Sequence, residues 1–391
     1  MGAVKPLDFV DDELAALEAR GRRRGVRVVE GRRGGEIMLD GRWVVNFSSN
    51  DYLGLSMEPA VVAAATAALG VHGVGAGASR LITGTSDEVV ELEQELAAFH
   101  GAPAALVFGS GYAANTGVIP ALVGAGDVVF SDELNHASII DGCRLSRAEV
   151  RVWPHGDVGA LERLIAGGRW RRRLIVSESV FSMDGDLAPL AALAGVAREH
   201  QAILLVDDAH AVGIGGPAGR GHGLAAGADL VIGTMGMAFG TAGAYVLSQL
   251  NVAHYLWNRS RTLVFSTAQP SAVIAASRAA LVLLGGAEGE ARRAALAERI
   301  EQVRSGLCAL GIAGTGHAHG PIVPLIVGDD RRAVACTNAL LEQGVLVLAI
   351  RPPTVPEGTA RLRITVTASH TVQHVATLLE GLARLRDAYM L

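Results

Sequence analysis

Short apolar runs alternate with amphipathic stretches through the middle of the chain. Seven of these runs have the length and composition of buried strands, at 104–108, 128–130, 149–152, 174–177, 203–206, 228–233 and 242–247. Helical patterns lie between most of them. This alternation predicts an α/β domain with a mainly parallel sheet.

The flanking regions carry helix and hairpin signals. Asp40 and Gly41 separate two apolar runs, 36–39 and 43–47, which predicts a hairpin. Ser86 is a predicted helix cap and Gly101 a predicted helix stop, and together they frame a helix at 87–99. Further predicted helices are 11–24, 60–69, 269–284, 290–310 and 370–385, and further predicted strands are 322–327, 345–350 and 361–366. We predict an N-terminal segment at 1–55, a large domain at 56–285 and a small C-terminal domain at 286–391.

Polar residues follow the ends of the predicted strands. They are Ser110, Gly111 and Tyr112 after the first strand, then His136, Ser182, Asp207 with His210, and Thr234. In sheets of this class the ligand lies beyond the carboxyl ends of the strands. We therefore expect these residues to form one site.

The residue types at these strand ends match one cofactor when they are taken together. A carboxylate keeps a pyridine nitrogen protonated, one imidazole stacks on the ring, and another imidazole hydrogen-bonds the ring oxygen. Hydroxyls and backbone N–H groups bind a phosphate. This is the set that pyridoxal phosphate requires. Each member alone also fits a capped turn or a satisfied histidine, and the glycine-rich loop that begins at Thr234 also fits an ordinary tight turn.

Composition narrows the class of protein. The net charge of −5 predicts no nucleic-acid partner. Three cysteines fit neither a disulfide framework nor a metal site, and no secretory signal opens the chain, which together predict a cytoplasmic protein. The apolar run at 59–71 is too short to span a bilayer, so we expect no membrane association. Of 34 lysines and arginines only Lys5 is a lysine.

Seven stretches resemble the α-oxoamine synthases, which are pyridoxal-phosphate enzymes of fold type I, and most closely their biotin-biosynthesis branch. The stretches are NFSSNDYLGL (46–55), GSGYAAN (109–115), SDELNHASIIDG (131–142), ESVFSMDGD (178–186), VDDAHAVG (206–213), GTMGMAFG (233–240) and AIRPPTVPEGTARLR (349–363). The resemblance implies a transferase with a mainly parallel seven-stranded sheet in its large domain and a smaller C-terminal α+β domain. It also implies a homodimer.

The resemblance implies a role for each matched residue. Asp207 would pair with the pyridine nitrogen, His210 with the ring oxygen, and His136 would stack on the ring, which makes these three the expected catalytic set. The phosphate would be surrounded by Ser110, Gly111, Tyr112, Ser182 and Thr234, and by Ser266 or Thr267 of the neighbouring subunit. Substrate would be bound by Asn50, Arg351 and Thr354, by His136, and by Arg27 as a carboxylate ligand.

One matched position departs from the family. The loop of the family reads G-T-x-G-K, and its lysine forms a Schiff base with the cofactor and moves the Cα proton, but this chain has Met237 there. A thioether cannot form that link or act as a base. Losing a positioned base costs about 10²- to 10⁴-fold in rate. We expect pyridoxal phosphate to bind non-covalently or as an external aldimine, with little or no turnover.

Three functions remain open from the sequence. The first is a biotin-branch synthase, which joins L-alanine to a pimeloyl thioester with loss of carbon dioxide, in a form whose lysine was replaced. The second is a lysine-lacking, non-catalytic subunit of a heterodimer. The third is another branch of the family, such as a glycine C-acetyltransferase.

Overall fold

The computed structural model describes residues 6–317, 319–388 and 391, and the chain divides into two compact units. The large unit comprises Asn50–Ser182 and Asp186–Ala294. The small unit comprises Met1–Ser49, Met183–Gly185 and Ala295–Leu391, so it joins both ends of the chain. The predicted boundaries after 55 and 285 stay predictions.

The strands and helices of the described residues follow in chain order. The strands are β1 Gly31–Arg33, β2 Glu36–Leu39, β3 Arg42–Asn46, β4 Ala104–Phe108, β5 Val128–Asp132, β6 Glu149–Trp153, β7 Arg173–Glu178, β8 Ile203–Asp207, β9 Leu230–Thr234, β10 Ala244–Ser248, β11 Ile322–Gly328, β12 Val345–Leu346, β13 Leu348–Ile350 and β14 Ala360–Thr365. The α-helices are α1 Phe9–Ala19, α2 Pro59–His72, α3 Asp87–His100, α4 Gly111–Leu122, α5 Ala137–Ser146, α6 Val158–Ala166, α7 Leu190–Glu199, α8 Gly223–Ala226, α9 Leu250–Arg259, α10 Arg261–Val264, α11 Ser271–Gly285, α12 Ala287–Ala309, α13 Asp330–Glu342 and α14 Val372–Asp387.

The large unit is built on a seven-stranded sheet in the order β4-β10-β9-β8-β7-β5-β6. Strand β10 runs antiparallel to β4 and β9, while the pairs β9–β8, β8–β7, β7–β5 and β5–β6 are parallel. The predicted mainly parallel seven-stranded sheet is confirmed. All seven predicted strands are present, with bounds that agree to within two residues.

Both faces of this sheet are buried except at the edge strand β6, which is why its inner strands read as continuous apolar runs. Successive residues of one strand point to opposite faces. Val129 accordingly packs into one apolar cluster, whereas Val128 and Phe130 pack into another. The flanking helix α3 begins with Ser86, whose side chain accepts a hydrogen bond from the Val89 amide, and ends at Gly101 in the left-handed region, as predicted.

The small unit holds two sheets, ordered β1-β2-β3-β12 and β11-β14-β13. The predicted hairpin at 36–47 is confirmed as β2 and β3. The predicted strand at 345–350 is wrong as one element, because β12 and β13 join different sheets. The predicted helix at 11–24 is too long, since α1 ends at Ala19 and Gly21 has a φ of 67°.

No single helix of the described residues combines the length and the apolar character needed to cross a bilayer. The consecutive helices α11 and α12 meet at a bend of 74° and satisfy that test of length and composition only as a pair.

Candidate active site

Four neighbouring parallel strands of the large unit end in polar residues. Asp132 ends β5, Glu178 ends β7, Asp207 ends β8 and Thr234 ends β9. Glu178 and Asp207 are register partners across β7 and β8. Since parallel strands present their carboxyl ends at one edge, Asp207 and Thr234 lie at that edge, at the ends of β8 and β9. The other predicted residues follow the carboxyl ends of strands in the chain: Ser110, Gly111 and Tyr112 after β4, His136 after β5, Ser182 after β7 and His210 after β8. That all of them form one site stays a prediction.

Asp207 is buried and held by two hydrogen bonds. The Asn115 side-chain amide donates to Oδ2 at 2.7 Å, and the Ala209 backbone amide donates to Oδ1 at 3.0 Å. Burial raises the pKa of the Asp207 carboxyl, and the Asn115 hydrogen bond counteracts that rise. A cation beside this carboxylate, such as a protonated pyridine nitrogen, would oppose the rise further.

Asn115 connects the carboxylate to the predicted ring-stacking histidine. Its side-chain amide also donates to Ser138 Oγ at 3.0 Å, and Ser138 Oγ lies 2.8 Å from His136 Nδ1. The Ser138 backbone amide donates to the same Nδ1 at 3.2 Å, so this nitrogen accepts and the neutral imidazole carries its proton on Nε2. His136 is exposed at the start of α5. The arrangement leaves the ring of His136 accessible to a ligand.

Glu178 is a site residue that our sequence analysis did not assign. Its Oε2 accepts a hydrogen bond from the Ser182 backbone amide at 3.2 Å. Burial, and then the charge of Asp207, raise the pKa of Glu178 well above its usual range. The motif at 178–186 contained this residue and Asn115 lies in the motif at 109–115, so the resemblance carried the signal for both.

His210 lies just beyond β8 and contacts a tyrosine from an earlier segment of the large unit. The Tyr52 hydroxyl lies 2.7 Å from His210 Nδ1, and both side chains are buried. Tyr52 also lies 3.5 Å from Asn50 Oδ1, which places Asn50 beside this pair. The hydrogen bond to Tyr52 fixes the orientation of the His210 ring.

The start of helix α4 offers backbone donors. Gly111 and Tyr112 are its first two residues, and amides at these positions have no acceptor within their own helix. A Cβ at Gly111 would meet no heavy atom within 4 Å, so the space in front of this turn is open. Ser110 caps the helix by accepting from the Ala113 amide at 3.0 Å. Tyr112 donates to the Asp141 carboxylate, and this hydrogen bond raises the pKa of the phenol. A helix start of this kind suits a phosphate.

The loop after β9 is closed by its own hydrogen bonds. Thr234 Oγ1 donates to the Gly243 carbonyl at 3.0 Å and accepts from the Gly236 amide at 3.1 Å. The Gly240 amide donates to the Met237 carbonyl at 2.8 Å. Met237 is half-buried within this loop. The loop therefore forms with methionine at position 237, where the resemblance implies a lysine.

Two predicted residues of the large unit line a cavity with Phe108 and Gly109, at the carboxyl end of β4. Ser266 and Thr267 follow α10 and are exposed, and Thr267 forms an isolated bridge with Ser79. Their predicted contribution to a neighbouring subunit's site stays a prediction.

Three predicted substrate residues belong to the small unit. Arg27 and Arg351 line one cavity, where the Arg351 guanidinium donates to the Gly21 carbonyl. Thr354 Oγ1 accepts from Arg24 at 3.1 Å. Burial lowers the pKa of Arg351, and so does the nearby charge of Arg24.

Comparison with known families establishes the family of the protein. The profile of the aminotransferase class I and II family matches residues 42–382. The chain belongs to this family. Curated relatives include the 8-amino-7-oxononanoate synthase of Geobacter sulfurreducens, which is 49% identical over 95% of this chain and 96% of its own. The synthase of Methylococcus capsulatus is 48% identical, with the same coverage of 95% and 96%.

Solved structures of family members share the fold. A lysine-to-alanine variant of serine palmitoyltransferase from S. paucimobilis, with a bound pyridoxal phosphate–myriocin aldimine, superposes with a TM-score of 0.92 at 32% identity over 99% of both chains. The 8-amino-7-oxononanoate synthase of Francisella tularensis gives a TM-score of 0.76 at 27% identity, covering 89% of this chain and 99% of its own.

The chain is therefore an enzyme by family, a pyridoxal-phosphate-dependent acyltransferase of fold type I. The structure fits the cofactor at the strand edge, where the open helix start at Gly111 suits its phosphate and the buried carboxylate of Asp207 suits its ring nitrogen. Met237 does not fit the covalent attachment, because its side chain has no amine.

Proposed function

We propose that this chain is an 8-amino-7-oxononanoate synthase in descent and architecture, and that its turnover is impaired. The reaction of such an enzyme joins L-alanine to a pimeloyl thioester with loss of carbon dioxide, in biotin biosynthesis. The observation that carries the proposal is the identity of 49% over 95% of the chain to a curated synthase. The strand-edge set of Asp207, His136 and His210 supports it.

Pyridoxal phosphate, when bound, supplies an electron sink for bond cleavage at the α-carbon of an amino acid. We assign to Asp207 the pairing with its ring nitrogen, to His210 the hydrogen bond to its ring oxygen, and to His136 the stacking on its ring. We assign the phosphate to Ser110, Gly111, Tyr112, Ser182 and Thr234, with Ser266 and Thr267 from a second subunit. The Thr234 hydroxyl donates its hydrogen to the Gly243 carbonyl, so it does not also donate to the phosphate. Thr234 would therefore act on the phosphate by holding the loop in shape or through its backbone. We assign substrate binding to Asn50, Arg27, Arg351 and Thr354.

Met237 limits the chemistry. The family's reaction requires a group that takes the proton from the α-carbon, and a thioether has no lone pair basic enough to hold a proton near neutral pH. The single lysine, Lys5, lies outside the described residues. We therefore expect a rate reduced by at least about 10²- to 10⁴-fold relative to a lysine-bearing synthase.

The test is to restore the amine. Met237→Lys should gain synthase activity with L-alanine and a pimeloyl thioester, and borohydride should then leave a cofactor adduct at residue 237 by mass spectrometry. The wild-type chain should bind the cofactor but give no adduct. Leu250→Lys is the matched control, because Leu250 is 56% exposed at the start of α9, and a lysine there adds an amine beyond the end of β10 that is opposite to the Met237 loop. An adduct in the wild-type chain would contradict the proposal.

Met237 also favours a second candidate, a non-catalytic subunit that completes a heterodimer with a lysine-bearing partner. The retained Asp207, His136 and His210 argue against it, because a purely structural subunit does not need them. If Met237→Lys shows no activity with any acyl thioester, this candidate replaces the first. If the variant instead prefers glycine and a short acyl thioester, the first candidate is replaced by another branch of the family, such as a glycine C-acetyltransferase.

We also propose a cytoplasmic homodimer. Three large apolar side chains are exposed beside the segments that carry Ser79 and Thr267: Leu81, Ile82 and Phe265 are 55%, 71% and 69% exposed. Exposed apolar clusters of this kind mark protein interfaces. Light scattering of the purified chain should give twice the chain mass of 40.4 kDa.

A further inference from the structure

His155 lies between two segments of the large unit that each carry a predicted cofactor residue. Its ring Nδ1 is 2.9 Å from Asp132 Oδ1, at the end of β5, and its Nε2 is 2.8 Å from Asp186 Oδ2. A neutral imidazole has a single N–H, so it can donate to only one of these carboxylates. Both contacts are hydrogen bonds only when the ring is a protonated imidazolium.

The first of these carboxylates organises the turn between β5 and α5. Asp132 is 3% exposed, and besides the imidazole it binds the Leu134 amide at 2.9 Å and the Gly156 amide at 3.2 Å. The Asn135 amide donates to the Asp132 carbonyl at 3.2 Å. His136 is the next residue, so Asp132 holds the turn that presents it.

The second carboxylate belongs to the segment that presents Ser182. The Phe181 amide donates to the Asp186 carbonyl at 3.0 Å, and the Phe181 ring meets the imidazole edge to face, with centroids 4.3 Å apart. Ser182 is the next residue, and its amide donates to Glu178 at 3.2 Å. The Glu178 amide in turn donates to the Asn135 side chain at 3.1 Å. The two segments are therefore joined at two places, the imidazole and Glu178.

The charges around the ring come from both segments. Asp132 and Asp186 raise the pKa of His155 to about 10, although burial opposes them, and among the described residues these are the two charges that act on the ring. Asp157, at the start of α6, caps that helix and lies 3.9 Å from Arg163. The ring is therefore an imidazolium near neutral pH.

We propose that His155 is a positioning residue for the cofactor, whose positive charge holds the turn that carries His136 against the segment that carries Ser182. This inference rests on the proposed function, which gives His136 the cofactor ring and Ser182 the phosphate. Residues that contact a ligand keep their geometry through the residues behind them, so a shift between the two segments would misplace one of these contacts. None of the seven motif stretches contains His155.

The first test compares the Kd of pyridoxal phosphate for the wild type and His155→Gln by spectroscopic titration from pH 7 to about 10.5. We expect the variant to bind about tenfold more weakly at pH 7, the loss of one hydrogen bond to a charged group. Titrations that the two proteins share cancel in the ratio of their Kd values. This ratio should approach one as the pH rises through about 10, where the wild-type ring loses its proton.

Two further variants serve as rescue and control. His155→Arg keeps the positive charge and two donor positions, so it should bind more tightly than His155→Gln and keep this advantage at pH 10.5. His254→Gln removes an exposed histidine of α9 and should match the wild type at every pH. Circular dichroism checks that all variants are folded.

The second test needs no cofactor. In the full-length chain without pyridoxal phosphate, His155→Gln should speed hydrogen exchange at the amides of Leu134, Asn135 and Phe181, because these amides donate to the two aspartates that the imidazolium holds. His254→Gln should leave this exchange unchanged.

The outcomes separate the role of His155 from the proposed function. Equal affinities of the wild type and His155→Gln at every pH would overturn the positioning role. A loss that is constant with pH and is not recovered in His155→Arg would overturn it too, because the ring would then act by packing against Phe181. If the wild type binds no pyridoxal phosphate, the proposed function is rejected, and hydrogen exchange decides whether His155 holds the two segments.

Discussion

The Asn115 side-chain amide donates a hydrogen bond of 2.7 Å to Asp207 Oδ2, although the two residues are 92 positions apart in the chain. The same amide reaches Ser138 and, through it, His136. One side chain on α4 therefore orients both the carboxylate predicted to face the cofactor's ring nitrogen and the imidazole predicted to stack on the ring.

Replacing Asn115 by alanine should weaken pyridoxal phosphate binding about tenfold or more, because a hydrogen bond to a charged group contributes roughly 1.5–3 kcal/mol. The pKa of Asp207 should rise further, since the Asn115 bond lowers it. A spectroscopic titration of the cofactor gives the Kd. Asn258→Ala is the control, because Asn258 is exposed on α9 and bonds only the His254 carbonyl among described residues. Equal Kd values in the two variants would refute the role of Asn115.

Removal of the Tyr52 hydroxyl should affect both stability and the bound cofactor. Tyr52→Phe deletes the buried 2.7 Å bond to His210, and we expect a loss of about 1–2 kcal/mol in the free energy of unfolding. The absorbance maximum of bound pyridoxal phosphate should also shift, because the ring of His210 is no longer fixed. Tyr255→Phe is the control. It removes a hydroxyl that donates to the Ala121 carbonyl at 3.0 Å, so it should change the stability of the protein and not the absorbance of the cofactor. An unchanged spectrum in Tyr52→Phe would disprove the link to the cofactor.

His155 should make the stability of the protein depend on pH above neutrality. Its ring bridges Asp132 at 2.9 Å and Asp186 at 2.8 Å, and these two carboxylates raise the pKa of His155 to about 10. A histidine whose folded pKa lies above its unfolded value of about 6.5 stabilises the fold fully below pH 6.5, and this contribution disappears as pH rises towards 10.

The measurement is chemical denaturation from pH 6 to 10. The wild type should lose stability across this range, and His155→Gln should be less stable at pH 6 by about 1–3 kcal/mol and lose less on going to pH 10. His254→Gln, an exposed site on α9, should follow the wild-type curve. A His155→Gln curve parallel to that of the wild type would show that the imidazolium does not contribute.

Replacement by alanine should destabilise the protein at one glycine of the Met237 loop and be tolerated at another. Gly240 has a φ of 69°, and a Cβ there would lie 2.2 Å from the Ser56 backbone nitrogen. Gly240→Ala should therefore cost at least about 2 kcal/mol in the free energy of unfolding. At Gly236 the nearest atom to a Cβ is Thr234 Oγ1 at 3.5 Å, an ordinary contact, so Gly236→Ala should be tolerated. Equal melting temperatures of the two variants would contradict this account of the loop.

The sequence predicted the sheet and its site edge because both depend on local patterns. An apolar run with polar residues directly after it identifies a buried strand and the residues at its end, and a parallel sheet brings those ends together. The predicted first helix was longer than α1, because the basic stretch after Ala19 continues the helical pattern. The prediction also merged β12 with β13, because an apolar run does not show where a chain passes from one sheet to another.

The sequence by itself determined the class of fold, the set of residues at the strand ends and the absence of a usable lysine at position 237. Only the tertiary structure decided which side chains meet: Asn115 with Asp207, Tyr52 with His210, and Arg24 with Thr354, which are 330 positions apart. The physical reason is that periodicity reports on which face of its own element a residue lies. The partner on that face depends on the order of strands and the packing of segments that are distant in the chain.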